Sequence, residues 1–201
     1  MTTKRTTVTV HYDKLNTQTR KNKAIACGKE LEILVNSPEF KKEILAMGNY
    51  WRQGEVSKYK NASVESIYSL IMSGKEETSA EMDNDLDIYI DDYTTWKNVV
   101  GYMIPGRRTI FVNTRYFDNM SKEKVVSNML HEYTHTLGFR HSGPNIRRSI
   151  PYYMNEVVTK LYPIVIKGEE IPSVIIPKYK TTCYRSWRSL WFKRCYRVRV
   201  D

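Results

Sequence analysis

Residues 131 to 141 read His131-Glu132-Tyr133-Thr134-His135-Thr136-Leu137-Gly138-Phe139-Arg140-His141 and hold three of the four histidines in the chain. His131 and His135 are four residues apart, so on a helix they stack one turn above the other and turn both imidazoles toward one point. Glu132, beside the first of them, is placed to polarise a metal-bound water without being a ligand, the division of labour that zinc-assisted hydrolysis requires. Gly138 ends such a helix, because the left-handed turn that swings the chain back is costly for a residue with a side chain. That turn returns His141 as a third ligand. The residues therefore point to one catalytic Zn2+ held by His131, His135 and His141, with water in the fourth position and Glu132 as general base. The competing reading, a helix with satisfied core histidines, leaves the shared offsets unexplained.

This extended pattern resembles the metzincin clan of zinc endopeptidases. The resemblance covers residues 109 to 160 or so. It implies an α/β (α+β) zincin domain with a twisted mixed sheet, a long active-site helix and a small C-terminal subdomain. It also implies a methionine in a tight turn beneath the ligands, and Met154, in Ser149-Ile150-Pro151-Tyr152-Tyr153-Met154-Asn155-Glu156, follows His141 at an interval that suits a Met-turn. Several metzincins place a tyrosine two residues after that methionine, where it reaches the metal or the transition state. Here that position is Glu156. Tyr152 and Tyr153 precede the methionine instead and are the candidates for a tyrosine at the transition state. On this reading residues 1 to 177 form the metallopeptidase domain, with its N-terminal subdomain ending near 138, and 178 to 201 form a tail.

At 201 residues the chain is long enough to bury a core without covalent staples. Its start has no apolar stretch of signal-peptide length and no window approaches a membrane span, so synthesis in the cytoplasm is expected, with release or association with a particle left open. Cys27, Cys183 and Cys195 do not make a disulfide framework, although Cys183 and Cys195 could pair in an oxidising medium. Cys27, in Ala24-Ile25-Ala26-Cys27-Gly28, reads as a small apolar residue on an amphipathic helix rather than as a thiolate that blocks zinc.

Upstream of the motif, Thr6 to Tyr12 alternates Val8 and Val10 with polar residues and predicts a strand. Residues 20 to 36 carry a helical apolar pattern, and Ser37-Pro38-Glu39 predicts an N-cap and first turn for a second helix. Residues 48 to 62 read as loop, and Val64 to Met72 as a short helix stopped at Gly74. Residues 85 to 91 alternate strictly, with Leu86, Ile88 and Ile90 on one face and Asp85, Asp87 and Asp91 on the other, which is a half-buried strand. Against a calcium loop starting at Asp83 stand Ile88 at the sixth position, where glycine is expected, and the absence of the closing glutamate, so a solvated acidic face is the favoured reading. Val99 to Ile104 and Thr109 to Asn113, joined by Pro105-Gly106, predict a hairpin, and the resemblance to metzincins implies that its second strand is the substrate-lining edge. Ser121 is the expected N-cap of the helix that carries the motif, with Val125, Met129, Tyr133 and Leu137 as its core stripe. A short helix is expected after Met154, stopped by Pro163.

The chain carries a formal net charge of +10, and residues 178 to 201 hold eight lysines and arginines against Asp201, a balance of +7. Tyr184, Trp187, Trp191, Phe192 and Tyr196 interleave with these cations, the first three at helical spacing. Such a composition suits an anionic membrane or envelope surface contacted through residues 182 to 201, and less well nucleic acid, while packing onto the catalytic domain needs no partner at all. Together these readings predict a zinc-dependent endopeptidase acting on a protein or peptide substrate. The alternatives are a zinc amidase cutting a non-protein amide such as peptidoglycan, or a catalytically inactive zincin-like module that docks on membrane or nucleic acid.

Overall fold

The structure is a computed structural model that describes residues 5–77, 82–96, 99–104 and 107–169, and the backbone of 178–185 and 193–200. The chain divides into two compact units, Met1–Glu169 and Glu170–Asp201. The first is an α/β unit built on a four-stranded mixed sheet of order β1-β2-β4-β3, with β1 at Thr7–His11, β2 at Asp85–Tyr93, β3 at Gly101–Met103 and β4 at Thr109–Asn113. β1, β2 and β4 run parallel, and β3 returns antiparallel on β4. The return from β1 to a parallel β2 needs a crossover, which is supplied by α1 (Gln18–Val35), α2 (Pro38–Leu45) and α3 (Val64–Ser73).

Local chemistry accounts for where these elements begin. Thr17, Ser37 and Ser63 cap the three helices, each accepting from the backbone N–H three residues on, and Pro38 fills the first turn of α2 where its missing N–H costs nothing. The alternation in β2 puts Leu86, Ile88 and Ile90 into the core beside Ile110 and Val112 of β4. Its acidic face is engaged rather than free: Asp87 lies 2.8 Å from His11 Nε2 and 3.8 Å from Arg108, and Asp85 accepts from Thr9. Cys27 is wholly buried in α1, and burial pushes its thiol up to about 12.

The helix of the motif, α5 (Lys122–Thr136), is capped by Ser121 and buries Val125, Met129 and Tyr133, with Leu137 just beyond its end. Each such side chain removed from water contributes roughly 1.5–3 kcal/mol, so this stripe fixes the rotation of α5 about its axis. The buried Tyr133 hydroxyl is satisfied by donating to Glu76 Oε1 at 2.9 Å.

Several expectations change here. Residues 109 to 113 do not form the sheet edge: β4 lies between β2 and β3, because its parallel pairing with β2 leaves the short β3 to close the sheet on the outside. The Pro105-Gly106 turn falls outside the described residues. Met154 is not in a tight turn, because α6 spans Ile150–Leu161 and starts at Ser149, with Pro151 in its first turn, so the chain is already helical when it reaches the methionine. Pro163 does not stop the chain either, which continues from α6 as a π-helical turn at Tyr162–Ile166. In the second unit, β5 (Lys178–Arg185) and β6 (Lys193–Val200) pair antiparallel, so Tyr184 belongs to a strand. Trp187, Trp191 and Phe192 lie outside the described residues. The strand register sets Cys183 opposite Cys195. Among the described residues no helix is long and apolar enough to cross a membrane.

Candidate metal centre

His131 and His135 occupy the last two turns of α5, and the way that helix ends decides where the third histidine arrives. Phe139 N–H donates to Thr134 O and Gly138 N–H to His135 O, the paired bonds of a Schellman motif with Gly138 in the left-handed region at φ 97°. A Cβ there would also fall 2.4 Å from Glu77 Oε1. The exposed carbonyls of the helix end are covered by Arg140, whose guanidinium donates to His135 O at 2.6 Å and Phe139 O at 3.0 Å and pairs with Glu77 at 2.7 Å. A cation here also complements the negative end of the helix dipole.

Beyond Arg140 the chain runs antiparallel to residues 54–56. Glu55 and His141 form a bridge, Val56 N–H donates to Arg140 O at 2.9 Å, and Ser142 N–H donates to Gly54 O at 3.2 Å. Gly54 is pressed against the far side of this loop, where a Cβ would meet Asn145 O at 2.0 Å. His141 is thereby delivered to the helix pair. The ring centroids of His131, His135 and His141 lie 4.8 to 5.7 Å apart, and one ligand nitrogen from each falls within 4.8 Å of the others.

The electrostatics favour neutral imidazoles with free lone pairs. Burial, assisted by the neighbouring histidines, lowers His131 to about 3; burial likewise lowers His135 to about 4. His141 is lowered as well, by burial, with the charge of Glu55 opposing the shift. On two of the rings an outer partner holds one nitrogen and leaves the other for a ligand role. His135 Nδ1 donates to Phe139 O at 2.8 Å, and His131 Nδ1 lies 3.2 Å from the side-chain amide of Asn155. Asn155 is held in turn by Ser127, whose hydroxyl donates to its Oδ1 at 2.9 Å. Turning the amide end for end keeps both contacts and lets Oδ1 accept the His131 N–H.

His141 differs. Both its ring nitrogens are buried without a hydrogen-bond partner. A buried polar atom left unpaired costs about 1–3 kcal/mol, and two on one ring beside two other imidazoles fit a group that would hold a metal ion. The three histidines could hold one.

Glu132 is 7% exposed, and burial alone raises its carboxyl to about 7. Its charge reaches Tyr93 at the end of β2. Of the two tyrosines singled out from the sequence, Tyr152 packs its ring edge-on to His131 at 4.8 Å and lies 5.3 Å from His141. Tyr153 turns away: its hydroxyl donates to Glu43 O and its ring packs on Trp51. Met154 is fully buried in the core, and Glu156 is exposed. Helical periodicity explains the division, since Tyr152 and Asn155, three apart, share the face of α6 turned to the site. Asn155 was readable only once α6 was known to include it, and Glu55 sits in a loop whose sequence carries no motif.

Compared with known protein families, with curated proteins and with solved structures, the chain matches none. What stands is the histidine triad itself.

Proposed function

We propose that the chain is a zinc-dependent endopeptidase of metzincin type. The observation that carries the reading is the convergence of three imidazoles, two of them on the helix that also carries the buried carboxyl of Glu132. A site that only stabilises the fold has no use for such a carboxyl, and three protein ligands leave a position for water and substrate. His131, His135 and His141 would hold the ion, which when bound supplies the Lewis acidity for attack on an amide.

The work of the chain's own residues follows from their placement. Glu132 accepts a proton from the attacking water and returns it to the leaving amine, a task suited to a group whose pKa lies close to the working pH. Tyr152, against His131 and His141, walls the site on the α6 side and is the tyrosine available to the developing oxyanion. β3 is an edge strand of the sheet, and an extended peptide would pair with it by main-chain hydrogen bonds.

Incubating the purified protein with casein, with and without a chelator, tests the reading. Cleavage that stops on chelation and returns with zinc is expected. Absence of cleavage by zinc-loaded protein would overturn it.

A further inference from the structure

Among the described residues, Glu55 is a fully buried carboxylate opposite His141 that the proposed reaction does not use, with none of its surface exposed. Its two oxygens are treated differently. Oε1 accepts from Arg140 N–H at 2.8 Å and from Ser57 N–H at 3.2 Å, which ties the 54–57 loop to the segment that brings in the third histidine. Oε2 is buried and has no partner. Glu55 and His141 are also directly opposite one another in an antiparallel bridge. Opposed residues send their side chains to the same face with Cβ atoms about 4.5–5.5 Å apart, and the charge of Glu55 acts on the His141 ring.

Burying a carboxylate oxygen without a donor is expensive, and so is burying an imidazole N–H without an acceptor. The two deficits are complementary. Once one nitrogen of His141 serves a metal, the other must carry a proton, and Oε2 is an unpartnered acceptor on the residue opposite. His131 and His135 already have such partners in Asn155 and Phe139 O, so Glu55 completes the set. The Glu55 oxygens lie outside the group of mutually close ligand atoms, so it is not a fourth ligand.

We propose that Glu55 is the positioning residue of the third ligand, with Oε1 fixing the His141 segment and Oε2 accepting the N–H of the ring nitrogen that does not face the metal. This rests on the reading of the three histidines as a metal site, and not on peptide hydrolysis. An outer partner of this kind typically sets metal affinity by roughly 10- to 100-fold. Glu55→Gln is the discriminating variant, because its amide oxygen still accepts from Arg140 and Ser57 while the charged acceptor facing His141 is lost.

The test is zinc affinity by competition with a chromophoric chelator, for the wild-type chain and Glu55→Gln, beside the melting temperature of each without metal. A 10- to 100-fold weaker affinity at a melting temperature close to that of the wild type is expected. Equal affinities would overturn the proposal. A second readout is the imidazole nitrogen spectrum of His141 in zinc-loaded wild-type protein, in which one nitrogen should keep a proton that exchanges slowly. A rapidly exchanging proton there would overturn the proposal even if Glu55→Gln failed to fold. If the wild-type chain binds no zinc, the metal reading itself fails, which is a different result.

Discussion

Two of the three histidines stand on a helix and the third on a loop, and the molecule supports them by different means. His131 and His135 gain their alignment from α5, whose rotation is fixed by the buried stripe of Val125, Met129 and Tyr133, and their outer nitrogens are already partnered. His141 gains its position from a glycine turn, one bridge to Glu55 and the brace of Arg140, and its nitrogens are unpartnered. The helix pair is preorganised by packing. The loop histidine depends on polar contacts. All three nevertheless converge in the folded chain, so the contrast lies in what supports each ring.

Alanine substitution of the ligands should break the comparison most visibly. His131→Ala and His135→Ala should abolish tight zinc binding, because each leaves a single ligand on α5 beside the loop ligand. His141→Ala should keep weak binding, since the helix pair stays aligned. Isothermal titration would show the order, and equal losses in all three variants would mean that the loop ligand is as preorganised as the helix pair.

Asn155→Ala probes the helix side more gently. Losing the partner of His131 should weaken zinc affinity by about tenfold while His135, held by a backbone carbonyl, is untouched. Chelator competition measures this, and an unchanged affinity would remove Asn155 from the site. Gly138→Ala addresses the joint between the two regions. A side chain at φ 97°, close to Glu77, should lower stability by about 1–2 kcal/mol and reduce zinc affinity through His141. Chemical denaturation without metal, followed by zinc titration, separates the two effects.

The smallest effect is a slope with pH. In the metal-free protein His131 and His135 titrate at about 3 and 4, below the 6.5 of the ordinary group, so between these values the unfolded chain binds more protons and stability falls as pH falls. Glu132, raised to about 7 from 4.5, acts in the opposite sense, and its contribution is lost as pH rises through that window. Two histidines outweigh one carboxyl, so the melting temperature should rise from pH 4.5 to 6.5, and more steeply in Glu132→Gln. A flat profile in both proteins would show that the histidines are not buried as described.

How much of this was legible in the residues follows from the range of the interactions. The histidine cluster, the caps at Ser37 and Ser121 and the turn at Gly138 are encoded within a few positions, by offsets and by side chains that bond to nearby backbone, and a chain can be read for these directly. The edge of the sheet was misread because strand order depends on which distant strand β4 joins, and no local pattern in Thr109–Asn113 records its pairing with β2. Met154 was placed in a turn because the family pattern suggested one, while Pro151, which opens α6 in this chain, argues for helix. Glu55 lies 86 positions from His141, and only the folded chain brings them opposite each other.

The central claim is that Glu132 acts on water while three histidines hold the metal, and one paired measurement tests it most directly: zinc content and casein hydrolysis of the wild-type chain and Glu132→Gln, prepared side by side. The account predicts one zinc per chain in both proteins, and hydrolysis lower by orders of magnitude in the variant, because only the base has changed. Hydrolysis at a comparable rate in Glu132→Gln with its zinc in place would contradict it.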